Sequence, residues 1–153
     1  MRGPRFAIAT LLAILILAIP SQALAKVEIK RITYNPSGPD NGSKESLNRE
    51  WVQIHNSGPR AVRIRNWRIR DKSGHIFIFP NIHLIPGQEI RVHTGPGIDR
   101  FGDPAHLYWG SSQYIWNNNG DTATLKRRDG TVADRCRYPG GSPGYKVCST
   151  KES

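Results

Sequence analysis

From Lys26 onward no stretch of the chain sustains the apolar repeat of about 3.6 residues that marks a helix. Apolar side chains alternate instead in short runs, each closed by Gly, Pro, Asn or Asp. That pattern restricts the chain to strands joined by turns, and so to an antiparallel sandwich or barrel. Of the 15 Gly and 11 Pro, all but Gly3, Pro4 and Pro20 fall in this part and supply the punctuation.

Val27, Ile29 and Ile32 open a first strand that Asn35-Pro36-Ser37-Gly38-Pro39 ends, and a surface loop is expected from there to about Leu47. Trp51, Val52 and Ile54 make a second strand. Val62, Ile64, Trp67 and Ile69 supply the inward face of a third unit, where the spacing slips by one at Arg65-Asn66 and predicts a bulge or bend. Asp71-Lys72-Ser73-Gly74 turns the chain into Ile76-Phe77-Ile78-Phe79, and Ile85-Pro86-Gly87-Gln88 turns it again before Ile90 and Val92. A second long loop runs from Gly95 to about Ala105. Leu107-Tyr108-Trp109 and Tyr114-Ile115-Trp116 read as short aromatic strands, and the Asp129-Gly130 turn joins Thr122–Leu125 to Thr131–Ala133. Roughly eight or nine short strands result, within the range of a two-sheet sandwich.

Residues 1–25 stand apart. Arg2 and Arg5 precede an apolar run from Phe6 to Ile19, then Pro20-Ser21-Gln22, then the small-x-small pattern Ala23-Leu24-Ala25. The run falls short of the roughly 17–25 residues of a membrane-spanning helix. It predicts a cleaved signal peptide, export to an extracellular or periplasmic space, and no stable membrane insertion afterwards; a retained anchor is the rival reading.

The formal net charge is +10, and removal of Arg2 and Arg5 leaves the chain strongly basic. Such a balance attracts polyanions without selecting among them. The two cysteines, Cys136 and Cys148, both fall in the exported part. In an oxidising compartment they predict one disulfide, contributing about 3 kcal/mol in the loop-entropy account. A metal pair or redox pair is the alternative, though closer spacing or nearby His ligands would suit it better.

Together the runs Tyr34-Asn35-Pro36, Asn48-Arg49-Glu50-Trp51-Val52-Gln53-Ile54, Asn66-Trp67-Arg68-Ile69, Phe77-Ile78-Phe79-Pro80, Ile85-Pro86-Gly87, His93-Thr94-Gly95-Pro96-Gly97, Tyr108-Trp109-Gly110 and Trp116-Asn117-Asn118-Asn119-Gly120-Asp121-Thr122-Ala123-Thr124-Leu125 resemble the lamin-tail domain, in its stand-alone secreted prokaryotic form. The resemblance covers about Val27 to Tyr138. It implies an all-β, immunoglobulin-like two-sheet sandwich over residues 26–138; the expected disulfide would tie back the tail over 139–153 that follows. It also implies a binding or scaffolding module with no active site of its own. Asn66 stands where Gly is common in the family, and Asn tolerates the left-handed backbone that a bulge needs.

The row Arg63, Arg65, Arg68 and Arg70 is the candidate site. With Val62, Ile64, Trp67 and Ile69 inward, these four guanidinium groups are expected to point to solvent together, Arg being suited to paired contacts with phosphate. The partner implied is nucleic acid or an acidic wall polymer. The alternatives are a solvated face guarding a sheet edge, and an exported protein partner with the charge incidental. Tyr108, Trp109, Tyr114 and Trp116 are read as core and rim packing, with base or sugar stacking as the rival.

Asn117 to Asp121 reads as a tight turn that needs no cation. Asp40, Asn41, Ser43, Glu45 and Glu50, or Asp99 and Asp103, are rich in oxygen but match no calcium-loop spacing. His55, His75, His83, His93 and His106 are scattered and frame no catalytic motif. No cofactor and no enzyme activity are expected.

Overall fold

In the computed structural model, residues 26–148 are described; the leader reading of residues 1–25 lies outside them. Eleven strands and one short helix follow one another: β1 (Val27–Thr33), α1 (Lys44–Arg49), β2 (Trp51–Asn56), β3 (Val62–Arg63), β4 (Arg68–Arg70), β5 (Ile76–Ile78), β6 (His83–Leu84), β7 (Glu89–His93), β8 (Ala105–Tyr108), β9 (Asp121–Lys126), β10 (Val132–Tyr138) and β11 (Tyr145–Val147). They form a five-stranded sheet in the order β11-β1-β2-β7-β8, a four-stranded sheet in the order β10-β9-β4-β5, and the two-stranded ribbon β3-β6.

Period-two burial makes this a sandwich. Along β9, Asp121, Ala123 and Leu125 are buried while Thr122, Thr124 and Lys126 are not. Ile29, Ile32, Val52, Ile54, Ile90, Val92 and Leu107 from one sheet meet Ile69, Ala123, Leu125, Cys136 and Tyr138 from the other in a single core. Each fully buried aliphatic side chain contributes about 1.5–3 kcal/mol. The all-β immunoglobulin-like sandwich is thus present.

Two ties close one side of it. Asp134, at a shift of register in β10, accepts the Ile29 backbone N–H of β1 at 2.7 Å. Cys136 of β10 is bonded to Cys148, just past β11, with the Cα atoms 5.7 Å apart. The bridge therefore joins the edges of the two sheets, and the residues after Tyr138, expected as a tied-back tail, carry a strand of the five-stranded sheet.

Elsewhere the structure departs from the pattern reading. The stretch expected as loop to Leu47 contains α1, whose N-cap Ser43 accepts the Ser46 N–H at 3.2 Å and whose Leu47 is buried. Six residues hold too little periodicity to announce a helix. Strands β7 and β8 pair in parallel, not antiparallel. The intervening loop doubles back closely enough that a Cβ on Gly95 would meet Leu47 Cβ at 2.9 Å. Tyr114-Ile115-Trp116 is not a strand. The amides of Ile115 and Trp116 donate to the Glu50 carboxylate at 2.7 and 3.1 Å in place of a ladder. At Asn66 the backbone is left-handed, φ 63°, which is the bend the slipped spacing predicts.

Candidate polyanion interface

All four arginines of the candidate row are exposed, but they do not lie on one strand. Arg63 belongs to β3, in the small ribbon, where its Nε–H donates to His83 Nε2 at 2.8 Å. Arg65 lies in the bend between Ile64 and Asn66. Arg68 and Arg70 are the outward residues of β4, on either side of buried Ile69.

Strand pairing gives Arg68 and Arg70 neighbours from far along the chain. Arg68 lies opposite Lys126 of β9, and Arg70 opposite Thr124. Thr124 in turn faces Arg135 of β10, and Thr122 faces Arg137. On the other side Ile78 and Ile76 of β5 complete the rows. The outer face of the four-stranded sheet thus collects Arg68, Arg70, Lys126, Arg135 and Arg137 around two threonines. Successive outward residues on a strand are roughly 6.6–6.8 Å apart, and strands roughly 4.8 Å apart.

None of the five is ion-paired with a carboxylate among the described residues. The pairs Lys26–Glu28, Lys30–Glu89, His55–Glu28 and His75–Asp71 all lie elsewhere. Arg68 beside Lys126 is a like-charge cross-strand pair, an arrangement that costs stability unless an anion relieves it. A shallow groove of about 280 Å³ runs over this face, lined by Arg70, Asp71, Lys72, Thr122, Thr124, Lys126 and Arg135. A larger one of about 850 Å³ adjoins it, with Lys72, Thr122, Arg137 and Lys146 among its lining.

The acidic residues beside this face are spent on the fold. Asp71 accepts the Gly74 and His75 amides at 2.6 and 2.7 Å and so closes the β4–β5 turn. Asp121 accepts the Lys72 and Thr122 amides through one oxygen, at 2.9 and 2.7 Å, and the Asn117 backbone and side-chain N–H groups through the other. The Asn117–Asp121 segment is therefore a turn satisfied by its own amides. Among the described residues no group of three or more His, Cys, Asp or Glu is arranged to hold a metal ion.

Trp116 is buried in the core, and Trp109 packs edge-on against it with ring centres 6.1 Å apart. Tyr108 is stacked on His93 at 5.1 Å. Tyr114 donates to or accepts from the Ser46 hydroxyl at 2.6 Å. These four aromatics are packing and anchoring groups.

The residue whose role the pattern reading missed is Glu50. It is fully buried, and one carboxylate oxygen takes the Ile115 and Trp116 amides and the Thr94 hydroxyl, the last at 2.6 Å. Burial raises its pKa to about 7, against the lowering effect of those donors. A carboxylate directly before an apolar strand was the available signal.

Two facing sheets, cross-tied at one edge and bearing cations outside, define an immunoglobulin-like interaction module. The Lamin Tail Domain family profile matches residues 20–140, and the chain belongs to that family. No curated protein matches the chain.

Proposed function

We propose that the protein is a secreted, non-catalytic module that binds extracellular polyanions, nucleic acid or acidic wall polymer, through the outer face of its four-stranded sheet. The observation that carries this reading is the Arg68–Lys126 pairing within a field of five cations that has no carboxylate ion-pair partner among the described residues. A row of anionic groups along a polymer relieves that repulsion and gains charge-assisted hydrogen bonds at each guanidinium. Arg68 and Arg70, from the row read in the sequence, form its centre. Arg63 and Arg65 extend it beyond the bend.

Export is consistent with the Cys136–Cys148 bridge, since disulfides persist in oxidising compartments. The second reading is a protein-interaction module. It draws on Ile76 and Ile78, 49% and 56% exposed on the edge strand β5.

The test is binding of the intact protein to labelled DNA and to heparin, before and after Arg68→Ser/Arg70→Ser/Arg135→Ser. Loss of more than tenfold in affinity, with the circular-dichroism spectrum retained, supports the polyanion face. Unchanged affinity for both polymers refutes it. A preference for one polymer identifies the anion.

A further inference from the structure

The outer face of the other sheet is built differently. Trp51 of β2 lies between two guanidinium groups: Arg31 of β1 is centred 5.4 Å from the indole and Arg91 of β7 4.7 Å. Arg31 also lies over the Tyr145 ring of β11 at 4.0 Å. A stack of Tyr145, Arg31, Trp51 and Arg91 therefore crosses four adjacent strands. Cation–π contacts of this kind hold the planar guanidinium groups in place. Arg31 and Arg91 sit on strands two apart, roughly 9–10 Å.

The Nε atoms of both arginines are buried without a hydrogen-bond partner among the described residues, so contact with a ligand falls to the terminal guanidinium nitrogens. Beside Arg91 on the next strand, His106 is bonded to His93 at 2.8 Å, and His93 to the Asn48 carbonyl at 2.7 Å. Glu28 and Glu89 stand opposite His55, one row along from Arg31, Gln53 and Arg91, and both are already engaged. Glu89 takes Lys30 and Gln53, and Glu28 takes Lys26. The half-face around Trp51 is cationic and aromatic with no acid among the described residues paired to it.

The two sheets pack face to face, so their outer surfaces point away from each other. Given the polyanion reading above, on which this step rests, we infer that the domain is bivalent. One nucleic-acid strand lies on the β4-β9-β10 face, and a second lies on the Tyr145–Arg31–Trp51–Arg91 face, so that one molecule bridges two strands. Nucleic acid is the polyanion that this second face favours. Tyr145 is 39% exposed beside Arg31, and aromatic rings interleaved with guanidinium groups suit stacked bases joined by phosphates.

The experiment mixes the intact protein with short oligonucleotides, half carrying a donor dye and half an acceptor. Bivalence predicts two strands bound per protein molecule, energy transfer that peaks when strands exceed protein, and its loss when protein is in large excess. Arg31→Gln/Arg91→Gln keeps a planar group against the indole and removes the charge. It is expected to bind one strand with little change in affinity and to abolish the transfer. Arg68→Ser/Arg70→Ser/Arg135→Ser should also bind one strand, on the remaining and weaker face, with affinity lowered more than tenfold and no transfer.

One strand per molecule in the wild type overturns the inference and leaves the first face standing. Transfer that survives Arg31→Gln/Arg91→Gln overturns the placement of the second site. Bridging of heparin chains but not of oligonucleotides overturns the choice of polymer. No binding by the wild type at all is the failure of the polyanion reading itself.

Discussion

The Glu50 carboxylate accepts the backbone N–H of Ile115 at 2.7 Å from a position with no solvent access. It thereby pins the segment before β9 to the start of β2, and it does so without an ion pair among the described residues. Its second oxygen is buried and unpartnered. The carboxyl consequently keeps its proton to about pH 7, and that shift links stability to pH.

Between the ordinary Glu value of 4.5 and about 7, the folded protein holds a proton that the unfolded chain has released. The contribution is fully present below 4.5 and is lost as pH rises through the folded value, about 3 kcal/mol in all. Glu50→Gln should erase this decline, as read by urea unfolding at a series of pH values. Glu50→Ala should destabilise at every pH, since two buried amides and the Thr94 hydroxyl lose their acceptor. A Glu50→Gln protein with the wild-type pH slope contradicts the assignment.

The His93–His106 pair acts in the opposite sense. Burial, reinforced by neighbouring cations, holds both imidazoles below their ordinary value of 6.5. Their contribution is present above 6.5 and is lost as pH falls below it. His106→Gln should flatten the acid side of the stability profile while leaving the Glu50 decline in place. Titration of the two imidazoles by NMR checks the direction.

Reduction of the Cys136–Cys148 bridge should lower stability by about 3 kcal/mol. Because the bridge ends one residue past β11, the loss should be local first. Hydrogen exchange of Tyr145 to Val147 should accelerate before that of β9. If β11 and β9 exchange alike in the reduced protein, the strand does not depend on the bridge.

Asn66 holds its left-handed backbone at a cost that Gly would not bear. Asn66→Ala should lose about 1 kcal/mol, and Asn66→Gly should be neutral or slightly stabilising. A thermal-melting comparison of the two variants decides it.

The strands that alternate cleanly, β7 and β9, were legible because each buries one face and period two is then forced on the sequence. Turns carried by a side chain were legible as well: Asp71 and Asp121 close theirs with short-range hydrogen bonds to nearby amides. Other features depend on contacts that no local pattern encodes. Tyr114–Trp116 has the composition of a strand, yet its amides go to Glu50, a residue far back in the chain. The direction of β8 depends on how its loop packs on α1.

The candidate site divides in the same way. Arg68 and Arg70 could be read from alternation within β4. Lys126, Arg135 and Arg137 reach the same face only through the β4-β9-β10 register. Arg31 and Arg91 meet at Trp51 only because β2 lies between β1 and β7.

The salt dependence of DNA binding bears most directly on the central claim. If the five cations of the four-stranded sheet neutralise four or five phosphates, log K should fall against log salt with a slope of about −4. The triple replacement of Arg68, Arg70 and Arg135 should reduce that slope by two to three. A wild-type slope near zero, or a slope the replacement leaves unchanged, contradicts the account.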